Sequence, residues 1–162
     1  MRGGPRWFRS CSSGNLPSMA DATPQLTDLI SAAAAAATSA RDRAYAPYSN
    51  FTMGAAAVSA EGDVVDGVLV ENVSLGLAMC AERVALFAAV TRGVRPAVLA
   101  VCSKRTGGEL TLPCGACLQV ALELAGPDLT VVAVDPDGNI EQTSLHTLLP
   151  RGPSRHMPEF DA

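Results

Sequence analysis

The chain has 162 residues, with 12 Lys and Arg against 16 Asp and Glu, for a formal net charge of −4. At 48% hydrophobic and 17% charged it can bury a core in one domain, which excludes wholesale disorder; at 4% aromatic, that core must be mostly Ala, Val and Leu. Arg2, Arg6 and Arg9 lie in an acid-free first stretch of twenty residues, so the body keeps nine basic against sixteen acidic residues and offers no footprint for nucleic-acid phosphates.

Residues 1–22 are rich in Gly, Ser, Pro and Arg and show no apolar period. They read as a disordered tail or an over-called start, with Met19 as the alternative beginning; an Arg- and Ser-rich, acid-poor stretch also fits a transit peptide. Thr23-Pro24 predicts a helix cap followed by proline at the first helical position. The helix would run through Leu26, Leu29, Ile30 and the alanines 32–37 to about Ala44, with Pro47 as its stop. Met53–Ser59 and Val64–Asn72 flank Glu61-Gly62-Asp63 and predict a β-hairpin. Cys80–Arg92 predicts a helix with Val84, Phe87, Ala88 and Thr91 on its apolar face and Gly93 as its stop. A buried strand at Ala97–Ser103 is followed by a loop over 104–112. Pro113 opens a helix to about Leu124, then strands are expected at Thr130–Asp135 and Ile140–Thr143. A hairpin followed by helix, strand, helix and strand gives an α/β sandwich with a mixed sheet.

Five cysteines (Cys11, Cys80, Cys102, Cys114, Cys117) are an odd count in a chain too large to need disulfide staples. No apolar run reaches the roughly 18 residues of a membrane span, and no secretory signal pattern is present. Reduced thiols in a cytoplasmic protein, with no membrane partner, are the expectation, and there clustered cysteines point to metal or catalysis.

Cys114 and Cys117 are spaced i, i+3 at the first turn of a predicted helix, on one face and near the positive end of its dipole. Unpaired N–H groups at that end favour thiolate, the metal-binding form. Cys80 opens the other helix. Three thiolates leave one position open on Zn²⁺, which marks a catalytic site. Glu82, two residues beyond Cys80, is placed to take, hold and return a proton. Taken singly these residues have plainer readings: Cys114 and Cys117 as a redox pair or half a structural zinc site, Glu82 as a dipole-favoured first-turn acid, Arg83 as a surface arginine, Phe51 as core and Glu71 as a solvated rim residue. Cys102, mid-strand, reads as buried core, and His146 and His156 match no ligand spacing.

The stretches Ala46-Pro47-Tyr48-Ser49-Asn50-Phe51, Val70-Glu71-Asn72-Val73-Ser74, Cys80-Ala81-Glu82-Arg83 and Pro113-Cys114-Gly115-Ala116-Cys117 closely resemble the small, homotetrameric, zinc-dependent cytidine deaminases over about residues 24–150. The cysteine–glutamate pattern is one the zinc deaminases share. The resemblance implies a three-layer α/β/α sandwich with a mixed sheet of about five strands. It also implies a deaminase domain at 23–150 and a C-terminal tail at 151–162. The implied chemistry is hydrolytic attack at C4 of a cytosine ring, with Glu82 passing a proton to N3 and then to departing ammonia. Cys80, Cys114 and Cys117 would hold the zinc, Arg83 would hydrogen-bond the ligand sulfurs, the Ala81 N–H would hold the ring's O2, Phe51 would stack on the ring and Glu71 would accept from the ribose 3′-hydroxyl.

Three positions depart from the family pattern. Leu69 stands where an Asn usually helps hold the ribose, and an unpaired buried hydroxyl costs about 1–3 kcal/mol. Pro153 stands where a Phe commonly closes a neighbouring subunit's site, and Leu118 replaces a common Arg. None of these touches the zinc ligands or Glu82, so a free base, a modified nucleoside or blasticidin S stands beside cytidine and deoxycytidine as an expected substrate. A zinc-stabilised binding protein that keeps the fold is the non-enzymatic alternative.

Overall fold

The structure, a computed structural model, describes residues 24–154. Helix α1 (Leu26–Arg41) leads into strands β1 (Met53–Val58) and β2 (Val64–Val68). A 3₁₀ turn at Leu75–Leu77 precedes α2 (Ala81–Arg92) and β3 (Val98–Ser103). Then come α3 (Gly115–Ala125), β4 (Thr130–Val134), β5 (Ile140–Ser144) and the short α4 (Leu145–Leu148). The five strands form one sheet in the order β2-β1-β3-β4-β5. Only β3 and β4 run parallel, joined through α3; the other pairs are antiparallel, so the sheet is mixed, as expected.

Side chains alternate across the sheet with the strand period of two and build two cores. Ala56, Val58, Val98, Ala100, Cys102, Val132 and Val134 face α1, meeting its Leu29, Ala33 and Ala37. On the other face Ala55, Ala57, Leu99, Val101, Val131 and Ala133 meet Ala81, Ala85, Leu86 and Ala89 of α2 and Leu118, Ala121 and Leu122 of α3. The result is three layers, α/β/α. Every residue of β1 and of β3 is buried, as strands covered on both faces require.

Small residues set the layer spacing. A Cβ at Gly54 would lie 2.2 Å from the Ala37 carbonyl oxygen and 2.3 Å from the Arg41 nitrogen, and one at Gly67 would lie 2.3 Å from the Ala85 nitrogen. Only glycine at these points lets the α1 and α2 backbones come this close to the sheet.

Three expectations differ. The α1 cap is Gln25, which forms a reciprocal capping box with Asp28, so the helix starts later than Pro24; Thr23 lies outside the described residues. The buried face of α2 is Ala81, Glu82, Ala85, Leu86 and Ala89, while Phe87 is 46% exposed. The close approach over Gly67 fixes Ala81 and Ala85 against the sheet, and Leu86 and Ala89 continue that face at helical spacing. The second hairpin strand ends at Val68 and continues only as isolated pairings of Val70 with Tyr45 and Met79.

The loop between β3 and α3 is pinned at its start. Asp135 is buried and accepts from Arg105 Nε at 2.8 Å, from the backbone N–H groups of Asp137 and Asn139 and from the Asn139 amide. Burial alone would raise its pKa, but Arg105 and Asn139 more than offset this and bring it to about 2. At the other end, residues 151–154 return along α3, where the Gln119 side chain donates to the Pro153 carbonyl at 2.8 Å.

Candidate metal centre and active site

Cys80 is the N-cap of α2 and Cys114 the N-cap of α3, both in extended backbone, and neither makes a side-chain cap hydrogen bond. Cys117 follows one turn into α3. The three sulfurs lie within 4.8 Å of one another, with Cys114 and Cys117 3.5 Å apart. Zinc–sulfur bonds of about 2.3 Å at a tetrahedral ion separate sulfurs by roughly 3.8 Å, so this set fits one zinc with small adjustment. Two helix N-termini add positive potential at the same point. Cys117 is fully buried, Cys80 half-buried and Cys114 exposed, so the cluster has an open and a closed side.

The electrostatics favour an anionic cluster. A hydrogen bond from Cys117, together with the Arg83 guanidinium, brings the Cys80 thiol down to about 5 against the opposing effect of burial. Cys117, donating to Cys80 in a buried position near Glu82, is pushed up. Arg83 Nη2 donates to Cys80 Sγ at 3.6 Å.

Glu82 sits in the first turn of α2 and is 1% exposed. Burial raises its pKa, and the charge on Cys80 raises it further. Its Oε2 is buried without a hydrogen-bond partner among the described residues. A buried carboxyl with a spare oxygen beside three thiols is suited to carry a proton rather than to brace the fold. Ala81, fully buried, contributes a first-turn N–H that the helix itself leaves without a partner.

Phe51 and Leu69 are half-buried and pack on the same core cluster as Ala81 and Leu118. Leu69 therefore presents hydrocarbon on the side of the sheet that carries the cysteines. Glu71 is tied to the loop before β1: its Oε1 accepts from Ser49 Oγ at 2.5 Å, and its Oε2 from the N–H groups of Tyr48 at 2.9 Å and Ser49 at 3.3 Å. These bonds hold its pKa below the usual carboxylate range. Sequence reasoning missed this arrangement because it joins residues 22 and 23 apart; the run Pro47-Tyr48-Ser49-Asn50 was the available signal of a tight turn there, and Asn50 adopts φ 55°.

Cys102 lies in the α1-facing core, away from the other three described cysteines, and His146 is exposed. Cys11 and His156 fall outside the described residues. A groove of about 640 Å³, lined by Glu61, Arg95 and Asp128 among others, lies at the opposite ends of α2 and α3 and includes none of the cluster residues.

Residues 28–133 match the family described as the cytidine and deoxycytidylate deaminase zinc-binding region. A cytidine deaminase of Halalkalibacterium halodurans is 42% identical over 111 residues, spanning 68% of this chain and 83% of that one. That of Sporosarcina psychrophila is 40% identical over 111 residues, spanning 68% and 81%. The crystal structure of cytidine deaminase from Burkholderia pseudomallei superposes with a TM-score of 0.69 at 45% identity, covering 80% of this chain and 99% of that one.

Proposed function

The chain belongs to the zinc-binding cytidine and deoxycytidylate deaminase family and is a hydrolytic deaminase, and from that premise we propose that it converts cytidine or 2′-deoxycytidine and water to uridine or 2′-deoxyuridine and ammonia, in pyrimidine salvage. The observation that carries the reading is the meeting of Cys80, Cys114 and Cys117 beside the buried Glu82. Cys80, Cys114 and Cys117 would hold the zinc, which would supply Lewis-acid activation of water. Glu82 takes one proton from the attacking water and delivers it to ring N3, then takes the proton of the newly added hydroxyl and hands it to the amino group that leaves as ammonia; its raised pKa suits both directions of transfer. The Ala81 N–H orients the ring through O2, Phe51 stacks on it, and Glu71 keeps one free lone-pair site for a sugar hydroxyl after its three bonds to the loop.

One observation favours a second reading of the substrate. Leu69, apolar and packed on the core, offers no partner to a sugar hydroxyl. The same chemistry on a free base, a modified nucleoside or blasticidin S follows if ribose is held poorly. Self-association as a homotetramer belongs to the proposal too, supported by Val73, Leu75 and Leu77 at 78%, 86% and 68% exposure beside the site-bearing helix. Among the described residues no helix is long and apolar enough to cross a membrane; a cytoplasmic location rests on the need for reduced ligand thiols.

An ammonia-release screen over cytidine, deoxycytidine, cytosine and blasticidin S tests the reading. Glu82→Gln should retain zinc and lose turnover by about 10²–10⁴-fold. Full activity in that variant overturns the mechanism, and zinc without ammonia from any substrate in the wild type leaves a zinc-stabilised binding protein.

A further inference from the structure

We propose that Glu71 is a positioning residue: it clamps the segment 45–51 and, through the Ser49 hydroxyl, sets the backbone of Phe51. This rests on the reading of Phe51 as the ring-stacking surface and deepens it, because it assigns Glu71 and Ser49 a task that does not depend on the sugar.

The clamp is continuous. Tyr45 and the end of the hairpin are laced by two backbone hydrogen bonds, Tyr45 N–H to Leu69 carbonyl at 2.9 Å and Glu71 N–H to Tyr45 carbonyl at 2.8 Å. From that anchor the Glu71 carboxylate reaches forward to the Tyr48 and Ser49 N–H groups and the Ser49 hydroxyl. The hydroxyl donates to the carboxylate and accepts from Phe51 N–H at 3.0 Å, so the relay runs Glu71, Ser49, Phe51. With the carboxylate ionised, the hydroxyl–carboxylate link is a charge-assisted hydrogen bond. Between them Asn50 sits at φ 55°, in the left-handed region that Asn tolerates better than other side-chain-bearing residues. On the far side Val70 exchanges two backbone bonds with Met79, the residue before Cys80. Glu71 therefore stands between the loop that delivers Phe51 and the strand that delivers the first cysteine, and three of its roughly four lone-pair sites already serve the loop.

A glutamine at this position would set its NH₂ either against the Tyr48 and Ser49 N–H groups or against the Ser49 hydroxyl, and would weaken the clamp in both cases. The test uses full-length zinc-loaded protein and four proteins: wild type, Glu71→Gln, Ser49→Ala and the double variant, each with zinc content and melting temperature recorded. Two ligands separate the roles. Cytosine carries the ring without a sugar, and its affinity is read by calorimetry; 3′-deoxycytidine lacks the hydroxyl that a sugar ligand would hold, and its turnover is compared with that of cytidine.

The expected result is a loss of cytosine affinity in both single variants of roughly 10- to 100-fold, the scale set by a small misplacement of a positioning group. The double variant should be no weaker than the weaker single to within about twofold, the coupling expected of residues in one relay. In Ser49→Ala the turnover losses should be equal on cytidine and 3′-deoxycytidine, and Ser49→Thr, which keeps the hydroxyl, should recover most of the affinity. Unchanged cytosine affinity in Ser49→Ala, with a Glu71→Gln defect confined to cytidine, overturns the proposal and leaves Glu71 a sugar ligand only. Ser49 is exposed, so its variant tests the relay even if Glu71→Gln does not fold. Wild-type ammonia release is scored separately: its absence defeats the assigned reaction, whereas cytosine affinity across the variants still judges the clamp.

Discussion

Arg83 stands three residues beyond Cys80, one helical turn, and its guanidinium reaches that cysteine's sulfur. Three thiolates on a dication leave a net charge of about −1, and Leu118, buried in the core one residue past Cys117, supplies no offset. The burden falls on Arg83 and the two helix ends. Arg83→Ala should therefore weaken zinc retention about 10- to 100-fold, the usual cost of losing a group that supports a metal ligand. Competition with a chromogenic chelator measures this without any assay of turnover. Arg83→Lys should fall between, since an ammonium keeps the charge but not the planar donor set; an unchanged zinc affinity in Arg83→Ala would place the compensation in the helix ends alone.

At the scale of elements, the two close approaches of helix to sheet make a paired prediction. Gly54→Ala and Gly67→Ala each force a Cβ into helix backbone, and each should destabilise the fold by about 1–3 kcal/mol, read from chemical denaturation. They should differ in zinc affinity. Gly67 lies under Ala81 and Ala85, so displacing α2 moves Cys80 and Glu82; Gly54 lies under α1, which carries no ligand. Weaker zinc binding is expected only in Gly67→Ala, and equal effects from both would mean that the layers shift together.

The same elements mark how far sequence reasoning reached. Both cysteine-opened helices were legible from local stop and start signals, Gly93 at the end of α2 and Pro113 just ahead of α3. The inner face of α2 was not. Alanines weigh little in a hydrophobic pattern, and the reason they face inward, a glycine on another element, is visible only once the layers are stacked. Gln25 escaped notice as a cap because it works with Asp28 as a pair. The cysteine and glutamate cluster could be written down from spacing, while the bonds from Glu71 to the loop could not, since nothing in the composition of residues 45–51 names a partner more than twenty residues away.

For the whole molecule, charge and surface point to different partners. An acidic body suits a small, largely uncharged heterocycle better than a polynucleotide. Val73, Leu75 and Leu77 ahead of α2, and Phe87 and Val90 on it, leave apolar side chains exposed that a solitary chain would not favour. Sedimentation equilibrium should find an oligomer. Leu75→Lys should raise its dissociation constant at least about tenfold, since one buried leucine contributes about 1.5–3 kcal/mol. A monomeric wild type would assign that surface to something other than a second copy.

The cysteines at the two N-caps carry a last consequence, one of mutational neighbourhood. A cap position ordinarily holds Ser, Thr, Asp or Asn, whose side-chain oxygen satisfies a free N–H and contributes about 0.5–2 kcal/mol. Cys80 and Cys114 make no such bond. A single-base drift from cysteine to serine at either place would firm up the metal-free helix and remove a ligand in the same step. Keeping cysteine at these two positions would thus work against local stability, and Cys80→Ser or Cys114→Ser would be expected to give a sturdier metal-free fold that has lost a zinc ligand.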